Sequence, residues 1–146
     1  PKFANFWAYR NVTVFKPNLK EVREATKEEA TATDIPALVD TLERLRSQLA
    51  AQHVLLTLSE HGILLASTPP EPHLHLPAHR RAITDVSGAG DTVIATLAAC
   101  WAAGCTPETS ARIANLAGGL VCEQIGVVPI DPTRLKAEVE MHGMLG

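Results

Sequence analysis

Asp85-Val86-Ser87-Gly88-Ala89-Gly90-Asp91-Thr92 is the segment on which the fold of this 146-residue chain turns. Ahead of it, His73-Leu74-His75-Leu76 alternates polar and apolar side chains as a half-buried strand does, and a basic pair, Arg80-Arg81, follows. Behind it, Thr92 to Ala103 is almost uninterruptedly apolar and free of glycine and proline, which predicts a helix. The layout is strand, glycine turn, helix. Gly88 and Gly90 permit backbone angles or close approaches that a side chain would obstruct. They stand where the first turn of a helix leaves N–H groups without partners at the positive end of the helix dipole. Such a place suits an anion, most often a phosphate. Asp91 then has two readings: a carboxylate beside bound phosphate that takes a proton from an attacking hydroxyl, or a helix cap.

The composition is that of one globular domain: 46% hydrophobic, 20% charged, and too apolar for disorder. A net charge of −3 gives no electrostatic case for nucleic acid or an anionic membrane as a partner. Cys100, Cys105 and Cys122 form no CxxC pair, so reduced thiols packed in a core are expected. The apolar runs are interrupted short of a membrane span, and no signal peptide is visible, which predicts a soluble cytoplasmic domain. No repeat or linker divides residues 1–146, so one domain is expected. The start at Pro1-Lys2, with a candidate strand at Val12 to Phe15 arriving at once, is what a fragment or processed chain would show.

Outward from the glycine segment, Pro17 ends that first strand and Asn18 caps a helix from Leu19 to Ala25. Asn18 and Glu21 have the spacing of a capping box; the other use of Glu21 is to orient a hydrated Mg²⁺ at a helix start. Asp34 and Pro36 open a helix whose stripe is Leu38, Leu42, Leu45 and Leu49, with Val39 beside it. Val54 to Leu58 reads as a buried strand, Ser59 to Gly62 as a turn, and Ile63 to Ala66 as the returning strand. Thr57, at a strand's C-terminal end, sits where open α/β sheets hold ligands, or is a turn residue bonded to its own backbone. His73, His75 and His79 lack cysteines or carboxylates at zinc spacing and are read as solvent-facing. Thr106-Pro107-Glu108 and Asp131-Pro132 open two further helices. In the first, Ala114, Ala117, Gly118 and Gly119 allow close approach of a neighbouring helix or a flat ligand.

Together these residues resemble the ribokinase (PfkB) family of carbohydrate kinases, most of all its heptose-7-phosphate kinases, the kinase domain of a bifunctional heptose kinase and nucleotidyltransferase. Asp85 to Thr92 is similar to the family's D-x-[TS]-G-A-G-D-[TS] signature. Lys16-Pro17-Asn18-Leu19-Lys20-Glu21 resembles its P-N-x-x-E segment. Thr57-Leu58-Ser59-Glu60-His61-Gly62 resembles its T-x-[GS]-x-x-G nucleotide loop, in the serine form. Ala114 to Gly119 is similar to the helix beside the adenine pocket. The likeness covers nearly the whole chain but only the C-terminal half of a family member.

The resemblance implies a ribokinase-like α/β fold, three layers with a mainly parallel sheet. It implies an ATP-dependent kinase acting on a sugar or sugar phosphate, with Mg²⁺ and in some members a monovalent cation such as K⁺. Asp91 would be the general base, and the backbone around Gly88, Ala89 and Gly90 the anion hole. Glu21 with Asn18 would organise Mg²⁺ and phosphates. Thr57, Ser59 and Gly62 would border the nucleotide; Asn115 and Gly118 would lie by the adenine, and Asp85 by the monovalent cation. The sugar-binding half, through which members often pair as homodimers, has no counterpart here. The chain is therefore expected to be inactive alone. A nucleotide-binding module without catalysis, or a partner-docking module, is the alternative.

Overall fold

The computed structural model describes residues 1–79 and 81–144, so Arg80 lies outside the described residues. They form two compact units, Pro1–Pro77 and Ala78–Gly146.

The first unit holds β1 (Val14–Phe15), α1 (Leu19–Thr26), α2 (Ile35–Leu49), β2 (His53–Thr57), β3 (Ile63–Ser67) and β4 (Leu74–Leu76). The strands form one sheet in the order β1-β2-β3-β4. β1 and β2 are parallel, while β2 with β3 and β3 with β4 are antiparallel. The expected mainly parallel sheet is met in part: the described strands form a mixed sheet with one parallel pair. Connection length explains it. A parallel neighbour needs a long crossover, which α1 and α2 supply between β1 and β2, whereas short loops leave the later strands no choice but to reverse.

The leucine stripe of α2 does what its spacing predicts. Leu38, Leu42, Leu45 and Leu49 are all buried, in one cluster with Val54 and Leu56 of β2 and Leu64 and Ala66 of β3. The strand residues in that cluster alternate, so they share one face of the sheet. Each fully buried leucine contributes about 1.5–3 kcal/mol relative to exposure. Phe6 and Phe15 close one end edge-to-face, their ring centroids 5.0 Å apart. His73 and His75 are exposed, His75 bonding the His61 carbonyl and His73 lying 3.7 Å from Glu43 of α2.

The second unit is helical: α3 (Ala89–Ala102), α4 (Pro107–Val121) and α5 (Pro132–Met141). Thr106 and Asp131 cap α4 and α5 as their residue types predict, each followed by proline. α4 is buried along most of its length, and α3 packs closely over Gly118: a Cβ there would meet Val93 Cγ2 at 2.7 Å. Of the three cysteines expected in a core, only Cys122 is buried; Cys100 and Cys105 are half-buried. Among the described residues, no helix is long and apolar enough to cross a membrane.

Candidate functional site

In the first unit, Asn18, Glu21, Thr57, Ser59 and Gly62 gather at the C-terminal ends of β1 and β2. Asn18 pairs with Thr57 in a parallel bridge, and the Thr57 N–H donates to the Pro17 carbonyl at 3.1 Å. This is the end of a parallel pair where α/β sheets hold their ligands. The capping box is formed: Asn18 Oδ1 accepts the Glu21 N–H at 2.9 Å, and Glu21 Oε2 accepts the Asn18 N–H at 2.7 Å. Glu21 Oε2 is therefore engaged at home and Oε1 lies 3.2 Å from the Pro1 ammonium, which fixes the carboxylate at the start of α1.

The loop after Thr57 is a single tight turn. The Leu58 N–H donates to the Gly62 carbonyl at 2.8 Å and the Gly62 N–H to the Ser59 carbonyl at 3.0 Å. Closing it requires φ of +87° at Gly62 and +55° at Ser59. Glycine takes such an angle without cost, whereas serine holds it under local strain of the kind that collects at ligand-binding loops. The Glu60 carboxyl is held below the usual carboxylate range by its own backbone N–H first and then by the Ser59 hydroxyl.

In the second unit the glycine turn is built differently from the other helix starts. α1, α2, α4 and α5 each have a side-chain cap; α3 has Gly88 as its N-cap, with φ of +76° and no side-chain bond. Asp91 lies inside the first turn of α3, so it is not the cap. Its carboxylate is exposed and makes no hydrogen bond or ion pair among the described residues. The Ala89 N–H is turned back to the Val86 carbonyl at 3.3 Å, whereas the N–H groups of Gly90 and Asp91 find no partner among the described residues. The Gly88 N–H has none either, so of the expected trio of Gly88, Ala89 and Gly90 only the Ala89 donor is engaged. The open donors stand at the positive end of a helix of 14 residues.

Asp85 clamps this turn. Its Oδ1 accepts the Ser87 N–H and its Oδ2 the Gly126 N–H, each at 2.9 Å. The Ser87 bond, followed by that of Gly126, holds the Asp85 carboxyl below the usual range. The Cys122 carbonyl accepts both the Thr84 and the Asp85 N–H, at 2.8 and 3.1 Å. Asn115 is buried on α4 with 8% of its surface exposed, and Gly118 is buried against Val93.

Sequence reasoning missed Arg81. Its guanidinium, 12% exposed, pairs with Glu123 at 2.9 Å and with Glu138 of α5 at 2.7 Å, and Glu123 also pairs with Arg134. Glu123 follows Cys122, so this network anchors the segment that holds Thr84 and Asp85. The Arg80-Arg81 pair was the only signal, and a partner 57 positions away has no signature in a single sequence. The Cys122 and Gly126 backbone groups that grip the turn are equally silent. Among the described residues no three His, Cys, Asp or Glu side chains gather to hold a metal ion.

The chain matches the family model described as pfkB family carbohydrate kinase over residues 7–134. It is 41% identical over 142 residues to the "Bifunctional protein HldE" of Rhodospirillum rubrum, an alignment covering 97% of this chain and 28% of that protein. The chain spans less than a third of the length of the first curated relatives it matches, at 27–29% for three of them. Among solved structures, phosphofructokinase-2 from Escherichia coli in complex with potassium superposes with a TM-score of 0.80 at 19% identity, over 94% of this chain and 43% of that one. Arabidopsis thaliana ribokinase, complexed with ribose and ATP, gives 0.75 at 22% identity, over 85% and 39%. At these identities the superpositions establish the fold alone, and that fold is ribokinase-like α/β.

Proposed function

Since the chain belongs to the pfkB family of carbohydrate kinases, we propose that it is the nucleotide-binding, base-bearing part of an ATP-dependent sugar kinase, with a heptose phosphate as the favoured acceptor. One observation carries this reading: an unpaired carboxylate, Asp91, in the same helical turn as two N–H groups with no partner. A structural aspartate at a helix start would be bonded to those donors; here both sides are left open. The heptose preference rests on the serine form of the Thr57–Gly62 loop and on the run of relatives named HldE.

Bound Mg-ATP would supply the phosphoryl group and the cation that offsets its charge. In this reading Asp91 accepts the proton of the attacking sugar hydroxyl, and the Gly90 and Asp91 N–H groups hold the phosphoryl oxygens. Gly88 and Ala89 shape the turn. Glu21, steadied by Asn18, would orient the hydrated magnesium; one carboxylate with phosphates and waters is a donor set that Mg²⁺ accepts. Thr57, Ser59 and Gly62 border the nucleotide, and Asn115 and Gly118 line its base. For a monovalent cation the fit is poorer, because both Asp85 oxygens already accept backbone N–H groups. Asp85 acts here as the clamp of the turn.

The test starts with this chain, shown by circular dichroism to be folded and titrated with Mg-ATP. Saturable binding that weakens in Gly90→Val and persists in Asp91→Asn supports the reading; a folded chain that does not bind overturns it. Replacing the matching segment of the Rhodospirillum rubrum relative by this chain then reads chemistry. Transfer to a heptose phosphate at about 1–100 s⁻¹ is expected, falling by roughly 10²–10⁴ in Asp91→Asn at unchanged ATP affinity. Binding without transfer in that chimera would mark a nucleotide-binding module instead.

A further inference from the structure

The C-terminal end of α3 carries a pair of cysteines that the kinase reading does not use. After its last residues, Gly104 takes φ of +87°, the Gly104 N–H donates to the Trp101 carbonyl at 2.9 Å, and the Cys105 N–H donates to the Cys100 carbonyl at 3.0 Å. These are the two bonds of a Schellman motif, with glycine as the left-handed residue after the cap. That motif brings together the side chains three positions before the cap and two after it, usually as an apolar contact. Here both of those side chains are thiols, Cys100 and Cys105.

The surroundings keep the pair together and reduced. Cys100 packs against the cluster of Ile113, Leu116, Leu120 and Val139, and both cysteines are half-buried and free. Burial first, then the neighbouring Cys105 thiol and its hydrogen bond, push the Cys100 thiol above its ordinary pKa. A thiol held protonated is a poor first nucleophile and a suitable second one. The backbone bond between the two residues already sets their Cα atoms at close range, so a disulfide asks little of the chain beyond side-chain rotation.

We propose that Cys100 and Cys105 form a redox pair, oxidised by a peroxide to an intramolecular disulfide that staples the last turn of α3 to the start of α4. The Cys105 thiol gives up its proton and the thiolate attacks one peroxide oxygen; the O–O bond breaks, leaving a sulfenic acid on Cys105, and the departing hydroxide takes that proton to leave as water. The Cys100 sulfur then attacks the Cys105 sulfur, the S–O bond breaks, and a second water leaves with the Cys100 proton. Two protons and two electrons pass from the thiols to the peroxide. A dithiol reductant reverses the change.

The test uses the native chain. It is treated with hydrogen peroxide, quenched with an alkylating reagent and digested with trypsin. Both cysteines fall in one peptide, Ala82 to Arg112, with no internal lysine or arginine. The expected product is that peptide lighter by two hydrogens, unalkylated, and restored by dithiothreitol, while Cys122 stays a thiol. Cys100→Ser should instead accumulate sulfenic and higher acids at Cys105, and Gly104→Ala, which strains the left-handed position, should slow disulfide formation in a chain still folded by circular dichroism. Separate alkylation of both cysteines after oxidation, independent sulfinic acids, or a disulfide that links two chains or recruits Cys122 would each overturn the proposal.

Discussion

Gly118→Ala asks whether this glycine is present for helix packing or for a ligand. An added Cβ would lie 2.7 Å from Val93 Cγ2. Carbon atoms in contact sit about 3.5–4.0 Å apart, so the two groups must separate by roughly 0.8–1.3 Å. Val93 is 5% exposed and β-branched, with one strongly favoured rotamer in a helix, so it has nowhere to swing. Overpacking of this kind costs about 1–3 kcal/mol, offset by about 0.5–1 kcal/mol from replacing a helical glycine by alanine. The net expectation is a loss of about 1–2 kcal/mol. In a Val93→Ala background the obstruction is gone, and the same substitution should stabilise by about 0.5–1 kcal/mol. The coupling energy between the two sites is then about 1.5–3 kcal/mol. Urea unfolding followed by Trp101 fluorescence in a Trp7→Phe chain reads the second unit directly. If Gly118→Ala raises the midpoint with Val93 intact, α3 and α4 already have room and the packing argument fails. If stability is unmoved in both backgrounds while Mg-ATP binding weakens, the glycine serves the ligand.

Glu21→Gln keeps a capping box, because glutamine also accepts the Asn18 N–H, so stability should hold within about 0.5 kcal/mol while Mg-ATP affinity falls. Equal loss of affinity and stability would leave Glu21 only its structural role. Asn18→Ala removes the cap itself and should cost about 1 kcal/mol in denaturant unfolding. Hydrogen bonding to Arg81 is the leading cause that holds the carboxyls of Glu123 and Glu138 below their ordinary pKa. A depressed folded pKa contributes stability above the ordinary carboxylate range, near 4.3 for glutamate, that is lost as pH falls through the depressed values. Arg81→Met should lower the melting temperature at pH 7 and flatten its decline on acidification; an unchanged acid profile would remove Arg81 from that role. Gly88→Ala places a side chain at φ of +76° and 3.0 Å from Val127 Cγ1, and should cost about 1–2 kcal/mol, read by thermal unfolding.

What was legible in the sequence follows the range of the interactions involved. Caps, proline starts, the α2 stripe and the reversal at Ser59–Gly62 are written within a few residues of one another, and they stand in the structure where the spacing put them. The sheet follows the resemblance in part: one pair is parallel, while the short connections after β2 reverse β3 and β4 and make the sheet mixed. The site divides the same way. Asp91, Gly88 and Gly90 announce themselves because a carboxylate beside a glycine turn is costly without a purpose. Arg81, Cys122 and Gly126 do not, since a part-buried ion pair to α5 and two backbone grips on the turn depend on neighbours about 40 positions or more away. Rigidity of the glycine turn thus rests on groups with no motif of their own. A loop of glycines holds a phosphoryl group only if something else removes the freedom that glycine brings. In the second unit that restraint is Asp85 on Ser87 and Gly126, anchored through Cys122 to the Arg81 network. The loss of geometry there would leave every residue of the signature in place and still open the turn.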